Sequence, residues 1–268
     1  MQPIKKIASL FALLSISGLS CQQHPNPTVL VCYAKLNPDS IRGYKYVILE
    51  SEHYKRFDIQ LIQEQNDLVL GYISLGEVSE NRFYFDQISE RTLGKNPVWE
   101  SHFIDLNDST TKKVVFALVD RIVEKGFNGL FLDTVDTYGP WGAHPENSGA
   151  YISFIKQIKE KYPDLHLMQN SGIALLPKSN LFINSVAIES IVTDYSFENL
   201  EYKLRKSNDF QERVSELNAV KTNYDLPIVL IEYADSKNLV KKVKDQLAHL
   251  PWDYFIGTIG LDQLPKYK

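Results

Sequence analysis

Eight short apolar runs, most of them separated by an amphipathic helical pattern, constrain the fold of this chain more than any other feature. They span 29–33, 46–49, 69–74, 129–132, 165–169, 186–192, 228–231 and 254–259. The helical patterns are clearest in the second half. Ser109 or Thr110 is placed to cap a helix in which Val114, Val115, Leu118, Val119, Ile122 and Val123 share one stripe. Tyr151, Phe154, Ile155 and Ile158 repeat the spacing before Pro163, as do Phe210, Val214 and Leu217, and then Leu239, Val240, Val243 and Leu247 before Pro251. Strands alternating with such helices imply parallel pairing through helical crossovers, and eight of them predict a single (β/α)8 TIM-type barrel. A doubly wound sheet is the alternative. The first crossover, 37–43, is short, and 52–66 shows no clean helical stripe. The passage 77–108 is long and irregular, with Gly94, Asn96 and Pro97, and a loop of that length in a compact domain is commonly functional.

The fourth run carries the strongest local signal. Gly126 is suited to close the preceding helix, Asn128 and Gly129 lead in, and Leu130-Phe131-Leu132 ends on the carboxylate of Asp133, with Asp136 following. A buried parallel strand that ends in an acid presents it to the crevice at the carboxyl edge of the sheet, where α/β proteins keep their chemistry. Capping of a loop or of the next helix is the competing role for Asp133. The other strand ends are also polar: Glu50, then Tyr72 to Glu77, Asn170, Glu189 with Asp194 and Tyr195 beyond it, and Glu232-Tyr233. Several acids at one mouth, with Tyr33, Tyr72, Tyr138, Trp141, Tyr195 and Tyr233 nearby, suit a sugar site. Ring faces stack on pyranoses, and a pair of carboxyls can cleave a glycosidic bond.

At 268 residues, 44% hydrophobic and 23% charged, the chain has the composition of a soluble globular protein and the length of one barrel. Its first 20 residues read as a signal peptide: Lys5 and Lys6 precede an apolar run over 7–19 that is too short to span a membrane. The Gly18-Leu19-Ser20-Cys21 junction resembles a lipoprotein processing site, so Cys21 is the expected lipidation point, with ordinary cleavage nearby as the alternative. Residues 21–28, with Pro25 and Pro27, form a tether, and 29–268 the barrel. Residues 1–20 carry two lysines and no acids, so their removal takes the net charge from −4 to −6. That balance disfavours nucleic acid and suits a neutral or cationic partner. Cys32 is then left without a disulfide partner and reads as a core thiol. No phosphate-binding loop or nucleophile elbow is present. The six histidines lack ligand spacing, so neither a metal nor another cofactor is expected. His53, His102 and His144 fall in loops and read as surface or supporting residues.

Two motifs make a resemblance specific: Gly71-Tyr72-Ile-Ser74-Leu-Gly76-Glu77 with Arg82, and Gly126-Phe127-Asn-Gly129-Leu-Phe-Leu-Asp133-Thr-Val-Asp136. Together with Ala187-Ile-Glu189-Ser and Val229-Leu-Ile-Glu232-Tyr233 they resemble glycoside hydrolase family 114, the endo-α-1,4-polygalactosaminidase-like proteins. The resemblance implies a barrel that hydrolyses α-linked galactosamine-rich exopolysaccharide. It implies Asp133 and Glu189 as the catalytic pair, nucleophile and proton donor of a retaining mechanism, with Asp194 and Glu232 as rivals for the second role. Glu77, Asp136 and Glu232 would bind ammonium groups, and Tyr72, Asn170, Tyr195 and Tyr233 would complete the substrate contacts. The expected protein is an exported, monomeric cell-envelope lipoprotein that meets the membrane only through its N-terminal lipid. A polysaccharide-binding lipoprotein without turnover, or a glycosidase for another glycan, is the competing reading.

Overall fold

In the computed structural model, which describes residues 28–266, the eight apolar runs form one parallel eight-stranded sheet. Its strands are β1 Val29–Cys32, β2 Tyr46–Glu50, β3 Leu68–Ser74, β4 Gly129–Asp133, β5 His166–Asn170, β6 Ser185–Glu189, β7 Ile228–Tyr233 and β8 Asp253–Gly257. Each pairs with its neighbour in this order. β1 also lies beside β8. There the Tyr33 N–H donates to the Leu261 carbonyl at 2.6 Å and the Thr28 hydroxyl to Asp253 at 2.7 Å. The sheet is a nearly closed (β/α)8 barrel. The predicted signal peptide, Cys21 and nearly all of the tether lie outside the described residues.

Strands walled by the barrel interior on one side and helices on the other have no solvent face, which is why their sequences run apolar without alternation. β1, β2 and β7 are buried along their whole length. The outer layer contains α1 Arg56–Gln63, α2 Ser109–Glu124, α3 Ser148–Lys161, the single turn α4 Leu176–Ser179, α5 Ser207–Tyr224 and α6 Lys237–Leu247. The cap of α2 is Asp108, not Ser109 or Thr110. Its carboxylate reaches two free N–H groups at once, on Thr110 (3.0 Å) and Thr111 (2.8 Å). Gly126 follows the end of α2 with φ +93°, the left-handed conformation expected of it. Within 52–66 lies the helix α1. It buries only Ile59 and Ile62, one turn apart, too little apolar periodicity to be read as a stripe. The crossover at 37–43 is a single 3-10 turn, Pro38–Ser40.

Two excursions leave the carboxyl end of the barrel. The first, within 75–108, is a small antiparallel sheet of Glu77–Ser79, Ser101–Phe103 and Lys95–Asn96. The second is a hairpin of Thr193–Ser196 with Glu201–Leu204. The sixth apolar run is therefore two elements rather than one strand: β6 stops at Glu189, and Ser190 turns the chain with φ 56°.

Candidate active site

β4, β5 and β6 each end in a polar residue followed by a non-glycine residue in the left-handed conformation: Asp133 then Thr134 (φ 57°), Asn170 then Ser171 (φ 58°), Glu189 then Ser190 (φ 56°). Each such turn costs an L-residue about 1–2 kcal/mol. It also ends the ladder abruptly and leaves the last side chain of the strand at the mouth. Thr134 is held by a 2.8 Å contact with the Ser74 hydroxyl and by the Gly76 N–H at 2.9 Å. The approach is so close that a Cβ on Gly76 would stand 2.1 Å from the Thr134 carbonyl oxygen. Glycine at position 76 is a requirement of packing around Asp133.

The three strand-end side chains form one unit. The Asn170 amide donates through Nδ2 to Asp133 Oδ1 at 2.8 Å and to Glu189 Oε1 at 2.7 Å. Two bonds sharing one nitrogen place an upper limit on the gap between those oxygens, which is no wider than the two bonds laid end to end. With both amide protons committed, Asn170 Oδ1 is buried and unpartnered among the described residues. Flipping the amide would set that oxygen against two carboxylates. On the far side of each acid stands a tyrosine. Tyr72 donates to Asp133 Oδ2 at 2.9 Å and Tyr233 to Glu189 Oε2 at 2.5 Å. Tyr33, from the end of β1, packs its ring on Tyr72 at 4.6 Å and faces both acids.

Burial, then the charge of Asp133, pushes the Glu189 carboxyl above its ordinary value, against the pull of the Tyr233 and Asn170 hydrogen bonds. Asp136 is raised for the same two reasons, burial first. Burial and the adjacent acids drive the Tyr33, Tyr72 and Tyr233 hydroxyls upward, so at neutral pH they are donors. A cleft of about 560 Å³ opens over this group, with Glu77, Asp136, Asp194 and Tyr195 on its walls. Glu77 is fixed by Asn96 at 3.1 Å and by the Ser101 hydroxyl, so the first excursion supplies its orientation.

Several expectations are corrected here. Glu232 is not at the mouth: it is fully buried and takes four hydrogen bonds, from the N–H groups of Ile191 (2.9 Å), Val192 (3.0 Å) and Thr193 (2.8 Å) and the Thr193 hydroxyl (2.6 Å). Strand alternation explains it. Tyr233 points into the barrel, so its neighbour points out. Asp194 stands on the cleft wall, but it is half exposed and pairs with Lys203 at 3.4 Å and Arg205 at 3.9 Å. Tyr138 is buried beneath the site, donating to the carbonyls of Leu75 and Ile104. Trp141 is 90% exposed and away from the cleft. Glu50 is on the cleft wall but is neutralised there by Arg82 at 2.8 Å, which also reaches Glu52 at 3.3 Å. His102 and His144 pair with Glu80 and Glu146. No group of three or more metal-ligating side chains occurs among the described residues. The sequence reading missed Trp99, Ser101 and Phe197. They lie in segments without periodicity, and only the folded excursions bring them to the cleft.

A (β/α)8 barrel with two acids at its carboxyl face, ending the strands on either side of β5, joined by a shared amide and flanked by tyrosines, has the layout that two-carboxyl glycoside hydrolysis uses. The comparisons narrow that class. The model of glycoside-hydrolase family GH114 matches residues 31–255, and the chain belongs to that family. Among solved structures, the glycoside hydrolase domain of PelA from Pseudomonas aeruginosa superposes with TM-score 0.79 and 24% identity, covering 89% of this chain and 98% of that one. Aspergillus fumigatus Ega3, solved in complex with galactosamine, gives TM-score 0.67 and 14% identity over 92% of this chain and 98% of that one. Both likenesses concern the fold. Uncharacterized proteins of Thermotoga maritima (26% identical; 57% of this chain, 50% of that one) and Methanocaldococcus jannaschii (27%; 73% and 62%) are also similar. The chain thus spans between half and two thirds of the length of these two relatives.

Proposed function

We propose that the protein is a retaining glycoside hydrolase acting on α-linked, galactosamine-rich exopolysaccharide. The observation that carries the mechanism is the Asn170 bridge. It keeps one oxygen of Asp133 and one of Glu189 within two hydrogen-bond lengths. So close an approach of the nearest oxygens favours the roughly 5–5.5 Å carboxyl spacing of retaining pairs over the ~6.5–9.5 Å with which an inverting pair admits water. Asp133, with its charge oriented by Tyr72 and Asn170, attacks the anomeric carbon and forms a covalent glycosyl-enzyme. Glu189, whose carboxyl is held above its ordinary value, gives its proton to the departing oxygen and then takes one from the incoming water. Family membership and the galactosamine in the Ega3 structure support the substrate class. Asp136 and Glu77 would accept from its ammonium groups, and Tyr195 would line its path. The N-terminal pattern supports export as a lipoprotein, and no helix among the described residues is long and apolar enough to cross a membrane.

The test is leaving-group dependence. Asp133→Asn should fail on every substrate, by at least about a thousandfold, with the fold intact. Glu189→Gln should fail on the natural polymer, yet form the glycosyl-enzyme from a substrate with an activated leaving group and then stall. Added azide should restore turnover with retained configuration. An inverted product from the native enzyme would exclude the covalent route, and leaving-group dependence in Asp194→Asn would move the proton donor there.

A further inference from the structure

The two excursions above the barrel leave β3 after Ser74 and β6 after Glu189, 115 residues apart in sequence, and meet through a pair of aromatic rings. Trp99 of the first and Phe197 of the second lie with centroids 4.9 Å apart and planes at 88°. Phe197 meets Tyr195 at 4.9 Å, and Tyr195 meets Tyr202 at 4.7 Å. Tyr202 is anchored to the barrel where its hydroxyl accepts the Ile259 N–H at 3.1 Å. A continuous row of rings therefore runs from Tyr202 to Trp99, and Tyr195, Phe197 and Trp99 of that row line the cleft. Trp99 and Phe197 stand at its outer end, 57% and 51% exposed, next to Val98 and Leu200, which are exposed as well. The Trp99 indole N–H has no partner among the described residues.

An isolated exposed aromatic residue requires no explanation. Two that reach each other from separate loops, both facing the cleft that holds the acids, do. The right-angle contact leaves ring faces bare, since only an edge of one covers the other. The surroundings choose the occupant. Glu100 and Glu198 adjoin the rings in sequence and are exposed. The neighbouring bases are engaged: Lys203 and Arg205 by Asp194, and Lys95 by Glu80. Apolar faces framed by free carboxylates fit a cationic sugar, whose ring stacks while its ammonium group meets an acid. They do not fit an anionic membrane surface, which calls for lysine and arginine.

We infer that Trp99 and Phe197 form a distal sugar platform. It binds a residue of the amino-sugar polymer several units from the bond being cleaved, and so favours long chains over short ones. This rests on the glycosidase reading, and the two can fail separately. In the purified protein, Trp99→Ala and Phe197→Ala should each cut kcat/KM on the deacetylated polymer by roughly tenfold, the usual scale of one aromatic contact. Hydrolysis of a short activated aryl glycoside should stay within about twofold of native, since that substrate ends before the platform. Trp99→Phe should recover much of the polymer activity. Equal losses on both substrates would reduce the pair to a structural clasp, and unchanged polymer kinetics would remove the platform. Polymer binding by Asp133→Asn and by Asp133→Asn/Trp99→Ala reads the platform without turnover. If the native protein cleaves no glycan, the glycosidase reading fails while this comparison still decides. Sedimentation with anionic vesicles that depends on Trp99, with polymer binding unaltered, would assign the rings to a lipid surface and overturn the proposal.

Discussion

Asn170 has two acids to satisfy and one nitrogen to do it with, and that shortage sets the geometry of the site. Its amide orientation is forced, its oxygen is left bare, and burial followed by the nearby charge of Asp133 raises the proton affinity of Glu189 against the pull of the amide itself. Because the raised group is an acid, the folded protein keeps this proton at pH values where the unfolded chain has released it. Stability must then fall as pH climbs through that window, and the contribution is complete only below it. Glu189→Gln removes the titration, yet still accepts from Asn170 and can turn its NH2 toward the Tyr233 hydroxyl oxygen. The variant should melt above the native protein at alkaline pH, with the gap narrowing on acidification. Melting curves across pH check this, and a gap independent of pH would refute it. Activity on substrates with poor leaving groups should decline over the same rise in pH.

Among the elements, the turn leaving β6 matters most. Ile191, Val192 and Thr193 point three consecutive N–H groups at one carboxylate, Glu232 of β7, so the loop after Glu189 is fastened to the next strand. Burial pushes that carboxyl up while the four donors pull it down. Glu232→Gln would face a donor with a donor and leave at least one buried group unsatisfied, which costs about 1–3 kcal/mol. Urea unfolding should report a loss of that size. Activity should fall alike on activated and natural substrates, because Glu232 holds the 191–193 loop and gives no proton to the leaving group. A loss confined to poor leaving groups would restore Glu232 as the proton donor.

At the scale of the whole molecule the charge is modestly negative, −4 for the full chain, and the N-terminal 20 residues contribute two of the positive charges. The processing pattern before Cys21 predicts that Cys21→Ser moves the protein from the membrane to the soluble fraction, visible by fractionation and by loss of lipid labelling. Unchanged membrane association would rule out the lipid as the anchor. The buried thiol at Cys32 gives no competing attachment point.

The strands were legible because each is buried on both faces, and burial on both faces writes an uninterrupted apolar run into the sequence. The acids that end β4 and β6 were legible for a related reason: a carboxylate closing such a run has no packing role there. Glu232 ends a run in the same way, and sequence could not separate it from Glu189, since the side of the sheet a residue faces depends on register and on what lies across it. The shared amide, the tyrosines behind each acid and the meeting of Trp99 with Phe197 are contacts between segments far apart in the chain. No local pattern encodes them. Sequence determined which residues are buried and which strand ends carry charge, and the closure of the barrel decided which of those charges share a site.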